Sequence, residues 1–251
     1  MADERVAKLM ARRGLCSRRE AEQLIEQGLV LVDGVVVRAQ GCKTAPDADI
    51  RIAPGGAAHL RAQATILLHK PVGVVSTQPE KDQTPAWKLV TRARVHGAVD
   101  PALLARIVAE PWTLAVAGRL DRASRGLLVM TQDGTVARRI IGGQGVEKCY
   151  LVRTVEPATD QQIHKLRGRL VLDDEPLQPM RVERVADDTL RFVLVEGKKH
   201  QIRRLCRRFG LEVVDLFRTA IGPLAIGELP EGGWRVARPE EIERLRAEGR
   251  V

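Results

Sequence analysis

The sequence predicts an α+β protein in two parts: a small helix–helix–hairpin unit, then a larger, mostly antiparallel mixed sheet. Three observations carry this expectation. The first fifty residues hold two helical stretches with apolar residues on one face, then two valine-rich runs around Asp33-Gly34. Beyond residue 64, strand-like runs outnumber helical ones and are joined by hairpin-like links. The chain of 251 residues is 44% hydrophobic but only 3% aromatic, so valine, leucine and isoleucine must build most of the core.

Each element has a local cause. In "RVAKLMARRG", Val6, Leu9 and Met10 fall on one helical face and Gly14 is a stop. In "SRREAEQLIEQG", Ser17 caps a second helix, Glu20 completes a capping box, and Ala21, Leu24 and Ile25 are its buried face. Asp33-Gly34 is a two-residue hairpin turn. Residues 54–64, which include Gly55-Gly56 and lack a clear period, read as a linker between a domain at 1–53 and a domain at 65–251. In the second domain "TILLHK" is a strand, and Val74 and Val75 are read as resuming one after the turn at Pro71 and Gly73. Asp100 and Pro101 open a helix, "WTLAVA" and "GLLVMT" are strands, and "TQDG" is a hairpin turn. "EKCYLVRTV", "TLRFVLVEG" and "LEVVDLFRTAIG" are further strands, and "RPEEIERLRAEG" is a closing helix.

The charge pattern points to a polyanionic partner. Lysine plus arginine outnumber aspartate plus glutamate by 41 to 32, a formal charge of +9. The excess is clustered. Arg5, Lys8, Arg12, Arg18 and Arg19 precede Glu20 with no acid among them. Arg18 and Arg19 lie in the first turn of a helix, against its dipole, which suggests a use outside the chain. In "KKHQIRRLCRRFG", Ile202, Leu205, Cys206 and Phe209 share one face, and Arg203, Arg204, Arg207 and Arg208 cover the rest, after Lys198, Lys199 and His200. Such a face repels itself unless a polyanion covers it. Lys70 is read as reaching either an anion or water.

Several chemistries have no motif here. Dinucleotide and P-loop fingerprints are missing, the histidines His59, His69, His96, His164 and His200 are scattered, and Cys16, Cys42, Cys149 and Cys206 are isolated. No cofactor or metal is therefore expected. The start of the chain does not read as a signal peptide and no apolar run reaches a membrane span, so a cytoplasmic protein is expected. One carboxylate stands out: Asp121, in a loop between two strands, flanked by Arg119, Arg122 and Arg125. Tyr150 is the single tyrosine. A lone carboxylate among cations suits nucleophilic or electrostatic catalysis at a glycosidic bond better than hydrolysis, which usually takes two.

The residues "GLCSRREAEQLIEQGLVLVDGVVV" resemble the S4 RNA-binding domain, over about residues 3–52. "HKPVGVVST", "AGRLDRASRGLLVMTQDG", "EKCYLV" and "EGKKHQIRRLCRRFG" are similar, in that order, to the motifs of bacterial ribosomal RNA pseudouridine synthases that carry an N-terminal S4 domain. Lys199-His200 stands where that branch more often has asparagine-arginine, Ser124 stands for a frequent threonine, and the segment from Thr84 to Thr113 matches poorly.

The resemblance implies isomerisation of a specific uridine in ribosomal RNA, with the large subunit favoured over the small, and no cofactor. It makes Asp121 the catalytic aspartate, Tyr150 the residue that stacks on the base, and Arg203 the basic partner of Asp121. Arg119, Arg122 and Arg125 would then face the RNA backbone. The partner would be ribosomal RNA or an assembling subunit, met by a monomer. A non-catalytic RNA-binding or assembly factor would share the basic faces without needing Asp121, Tyr150 and Arg203 together. A glycosylase would release free uracil.

Overall fold

The computed structural model describes residues 3–142 and 145–247. Helices α1 (Val6–Arg12) and α2 (Arg18–Glu26) pack through Val6, Leu9, Met10, Leu24 and Ile25. The capping box forms as expected: Ser17 N–H donates to Glu20 Oε2 at 2.6 Å and Glu20 N–H to Ser17 Oγ at 3.3 Å. Strands β1 (Val30–Val32) and β2 (Val35–Val37) meet at Asp33 and Gly34, whose φ angles of 49° and 81° are both left-handed, as a two-residue I′ turn requires. β3 (Ile50–Ile52) pairs with the other edge of β1.

The segment read as a linker contains a helix, α3 (Pro54–Arg61), with Pro54 in its first turn. Its glycines do not mark flexibility. A Cβ on Gly56 would lie 2.8 Å from Ile52 Cγ2 and 3.1 Å from Leu24 Cδ2, so glycine here permits close packing against the first unit.

The larger part contains helices α4 (Pro101–Ala109), α5 (Gly134–Ile141), α6 (Asp160–Arg167), α7 (Gln201–Arg208) and α8 (Pro239–Ala247). Its strands are β4 (Thr65–Lys70), β5 (Ala115–Ala117), β6 (Arg125–Thr131), β7 (Lys148–Thr154), β8 (Arg181–Ala186), β9 (Thr189–Leu194), β10 (Val213–Ile221) and β11 (Trp234–Val236). They form one sheet in the order β8-β9-β7-β10-β6-β4-β11, with β5 on β6 and the Leu224–Ala225 pair on β10. Every pairing is antiparallel except β10 with β6.

Two positions differ from the reading. Val74 and Val75 do not resume a strand; Val75 makes an isolated bridge to Pro85. "TQDG" is not a hairpin turn: Asp133 accepts from the N–H groups of Thr135 and Val136 and caps α5. Asp-Gly serves both purposes, and only the apolar face of α5, Val136 and Ile140, separates them.

The two-residue period of the strands sorts the core. Leu127 and Val129 point to one face, where Val136, Ile140 and Leu245 cover them. Leu128 and Met130 point to the other, joined by Ile66, Leu68, Ile107 and Trp234. A separate cluster there gathers Tyr150, Val152, Leu190 and Phe192 with Ile163, Leu166, Ile202 and Leu205 of α6 and α7. Leu120, which precedes Asp121, belongs to this last cluster.

Candidate active site

One row of residues crosses the sheet in register: Lys70 on β4, Gly126 on β6, Arg218 on β10, Tyr150 on β7 and Phe192 on β9. Gly126 is required there. Its φ is +111°, and a Cβ would fall 2.3 Å from the carbonyl oxygen of Arg218 and 2.7 Å from its nitrogen.

Arg218 is 1% exposed, and its guanidinium is held by backbone carbonyls. Nε donates to Leu127 O at 2.8 Å, Nη2 to Gly118 O at 2.7 Å and Nη1 to Arg119 O at 3.3 Å. Nη1 also lies 3.5 Å from the Tyr150 hydroxyl. Gly118 and Arg119 begin the loop that carries Asp121, so this buried cation fixes both the loop and the ring. Ser76 holds the next residue, donating to Leu120 O at 2.6 Å and accepting from Leu120 N–H at 2.9 Å. Gly73 and Arg122 join the far side of the loop, Gly73 N–H donating to Arg122 O at 2.8 Å.

This scaffold surrounds a cavity of about 430 Å³ lined by Arg119, Asp121, Ser124, Tyr150, Lys198, Lys199, His200 and Arg203, among others. A larger cleft of about 1210 Å³ lies between the first unit and the sheet, beside Glu20, Arg106 and Asp133, away from Asp121 and Tyr150. Among the described residues no cluster of histidine, cysteine, aspartate and glutamate could hold a metal.

Asp121, Tyr150 and Arg203 thus border one cavity, but the contacts within it differ from the expected ones. The side chain next to the Asp121 carboxylate is His200, with Nε2 at 3.4 Å from Oδ1. His200 is the N-cap of α7 and has a left-handed backbone, φ 54°. Arg203, one turn into α7, instead donates from Nη2 to Ala123 O at 2.7 Å and from Nη1 to Val213 O at 3.2 Å. It braces the loop beyond Asp121. Its Nε and the hydroxyl of Ser124 are buried without partners.

Lys70 does not reach the surface. It is fully buried, and Nζ donates to Pro71 O and Val74 O at 2.8 Å each. Burial pulls its amine down to about 8, against the opposing pull of the Asp121 charge. Lying in the register row rather than in a surface loop, it ties down the Pro71–Val74 turn.

The remaining cations divide into committed and available. Arg125 forms a two-pronged pair with Asp215 and lies 4.1 Å over the Phe217 ring. Lys198 pairs with Glu175, Arg204 with Asp173, and Arg208 donates to Val171 O. In the first unit Lys8 and Arg12 share Glu4. Arg122 donates to Gly73 O, and Arg119, Lys199 and Arg207 are exposed without an ion pair among the described residues, as are Arg5, Arg18 and Arg19. These available cations are the ones that can meet phosphate.

Arg218 was not legible as a site residue. In "LFRTAIG" it looks like an ordinary strand arginine, and only its register opposite Tyr150 reveals it.

Residues 64–208 match the family model described as RNA pseudouridylate synthase, and residues 4–41 match the S4 domain. The chain is 31% identical over 244 residues to an uncharacterized RNA pseudouridine synthase of Aquifex aeolicus, covering 96% of each chain. It is 30% identical to the dual-specificity RNA pseudouridine synthase RluF of Escherichia coli K12, covering 95% of this chain and 77% of that one. A crystal structure of a pseudouridylate synthase superposes with a TM-score of 0.63 at 26% identity, over 96% of this chain and 99% of the other. The α+β architecture, the S4-type start and the matched catalytic region make this chain a member of the RNA pseudouridine synthase family.

Proposed function

We propose that the protein converts one uridine of ribosomal RNA to pseudouridine, with large-subunit RNA favoured, and that Asp121 carries the chemistry. The observation that bears most weight is the Asp121 carboxylate and the Tyr150 ring on the wall of one cavity rimmed by cations. At about 430 Å³ it falls within the range of small-molecule sites, ~300–1,000 Å³.

The target uridine leaves its stack and enters the cavity, at a cost of a few kcal/mol. Tyr150 stacks on the uracil, worth about 1–3 kcal/mol. Asp121 assists cleavage of the N1–C1′ bond, either by attack at C1′ or by removing a sugar proton to give a glycal. The detached uracil turns and forms a C5–C1′ bond; C5 loses its proton and N1 gains one, so the composition of the RNA is unchanged. Closure of the site around the base keeps water from intercepting the sugar. Arg218 holds the Asp121 loop and Tyr150 in mutual position, and Arg203 braces the loop at Ala123.

Residues 1–53 grip neighbouring RNA through Arg5, Arg18 and Arg19, while residues 65–251 perform the reaction. The protein acts as a monomer in the cytoplasm, on ribosomal RNA or an assembling subunit.

The test is pseudouridine mapping of both ribosomal RNAs from cells with and without the gene, and of unmodified RNA treated with purified protein. One uridine should convert, and Asp121→Asn should abolish conversion while RNA affinity stays within a few-fold. Absence of conversion in either RNA would leave an RNA-binding protein without this activity. Release of free uracil would make it a glycosylase.

A further inference from the structure

Buried charge is treated in two ways in this chain. Away from the cavity a buried carboxylate meets a cation: Glu241 pairs with Arg235 and Arg238, and Asp133 with Arg246. The buried cations Lys70, Lys148 and Arg218 receive no such partner and form no ion pair among the described residues. Lys148 Nζ donates to Val146 O at 3.2 Å and to Val195 O at 3.0 Å, much as Lys70 and Arg218 donate to backbone carbonyls. A carbonyl needs a donor, not a charge, and burying an uncompensated cation is costly. Packing therefore explains the donors but not their charge.

These cations gather behind the site. Lys70, Gly126, Arg218 and Tyr150 lie in one register row, and Gly126 places no side chain between the two cations. Lys148 stands two residues before Tyr150 on β7, so the period of the strand puts it on the same face. Its partner Val195 follows Leu194, which lines the cavity with Tyr150. Arg218 lies within electrostatic range of both lysines: burial, and then its charge, pull each amine below the ordinary range. Asp121 and the exposed Glu231 oppose this at Lys70, whereas at Lys148 no acid opposes it among the described residues. Asp121 is also the only carboxylate among the residues that line the cavity. Lys70 thus balances Asp121, and Lys148 with Arg218 is surplus positive charge behind Tyr150.

We propose that Lys148 and Arg218 are the fixed counter-charge for the uracil at the moment it leaves the sugar. The inference rests on the reading of Asp121 as the centre of the reaction and deepens it. When the N1–C1′ bond breaks, its electron pair stays on N1. If Asp121 attacks C1′, its oxygen forms the new bond and its negative charge passes to the base. If Asp121 instead removes the C2′ proton, the C–H pair becomes the C1′=C2′ double bond and the carboxyl ends neutral. On either route the charge moves from Asp121 to the uracil, toward the ring of Tyr150. It returns to Asp121 once C5 has joined C1′. Cations held by backbone carbonyls inside a sheet need no reorganisation as that charge develops. Lys148 and Arg218 lie behind the lining residues, so they act through their field and not by contact.

The test compares two leaving groups in single turnover at saturating protein: ribosomal RNA carrying uridine, and the same RNA carrying 5-fluorouridine, whose fluorine makes N1 a better leaving group. Consumption of the nucleoside is read by chromatography of the digested RNA, for the wild type, Lys148→Gln and Lys148→Met. Lys148→Gln keeps N–H donors for the carbonyls of Val146 and Val195 but not the charge. It should slow the uridine RNA about 10- to 100-fold, less than the ~100- to 1,000-fold lost with a donor that touches the developing charge. Its loss on 5-fluorouridine RNA should be about fivefold smaller or less still, and RNA affinity should stay within about twofold. Lys148→Met should show the same contrast. Equal losses on the two RNAs would overturn the proposal, because a displaced Tyr150 slows both alike. So would an unchanged rate on uridine RNA. If neither variant folds by circular dichroism, the lysine is structural and the proposal falls. Failure of the Asp121 reading would show instead as a wild type that consumes neither nucleoside.

Discussion

Arg218 and Tyr150 face each other across β10 and β7, and Arg218 Nη1 lies 3.5 Å from the Tyr150 hydroxyl while the same guanidinium holds Gly118 and Arg119. One buried cation thus connects the ring proposed to hold the base to the loop that carries the carboxylate. Lysine keeps the charge but cannot span the carbonyls of Leu127, Gly118 and Arg119 at once. Hydrogen bonds from charged donors are worth about 1.5–3 kcal/mol each. Arg218→Lys should therefore destabilise the protein by about 3 kcal/mol in urea unfolding. It should also slow single-turnover isomerisation by about 100-fold, because small misplacements of a reacting group cost that much.

Tyr150 separates stacking from hydrogen bonding. Its hydroxyl contact to Arg218 is long, and the residue lines the cavity beside Asp121. Tyr150→Phe should stay within about tenfold of the wild-type single-turnover rate. Tyr150→Leu fills similar space but loses the π face, and should lose a further 5- to 100-fold, matching ~1–3 kcal/mol of base stacking. Equal rates for the two variants would remove stacking from the role of this ring.

Local chemistry explains which parts of the molecule were legible in the sequence. Ser17 with Glu20, and Asp33 with Gly34, specify a cap and a turn through neighbours alone, and both form as read. The amphipathic face of α7 is likewise periodic within one element. Arg218 and Lys70 owe their positions to strand register, which joins residues far apart in the chain and leaves no mark in either stretch. His200 reaches Asp121 through a left-handed backbone that a histidine does not announce. α3 was hidden because the glycine that permits its packing on Ile52 and Leu24 is also the residue of a flexible linker.

Glu241 ties α8 to the sheet and sets an acid limit on stability. Its carboxylate is 7% exposed and accepts from Arg235 through both terminal nitrogens, at 2.8 and 2.7 Å, and from Arg238 N–H at 2.8 Å. Burial alone would raise the group, but these donors override it and bring it from 4.5 to about 2. A carboxyl lowered on folding contributes stability above its unfolded value, and the contribution is lost as pH falls through the folded one. The window is therefore pH 4.5 down to about 2, and the contribution at neutral pH is at most about 3 kcal/mol. Glu241→Gln should lose up to that amount at pH 7, and the gap to wild type should narrow steadily as denaturation is repeated from pH 4.5 to pH 2.

The S4 unit is docked against the catalytic sheet by a contact that tolerates no side chain. Glu20, already in its capping box, also accepts from Gly134 N–H at 3.1 Å and from Gln63 Nε2 at 2.5 Å. Arg138 of α5 donates to Ala11 O at 2.8 Å. A Cβ on Gly134 would lie 2.3 Å from Ser17 Cβ and 2.4 Å from its hydroxyl, with the carboxylate of Glu20 at 2.9 Å. Gly134 sits at the first position of α5, where alanine is otherwise well tolerated, so Gly134→Ala acts mainly by pushing α2 away. The folded halves should remain intact while residues 61–64 become open to proteolysis and the radius of gyration in solution scattering increases. If docking pre-orders the RNA-binding face relative to the cavity, RNA affinity should fall about tenfold through lost effective concentration. The single-turnover rate at saturating RNA should be unchanged. Unaltered scattering and affinity in Gly134→Ala would show that α2 and α5 can part without consequence.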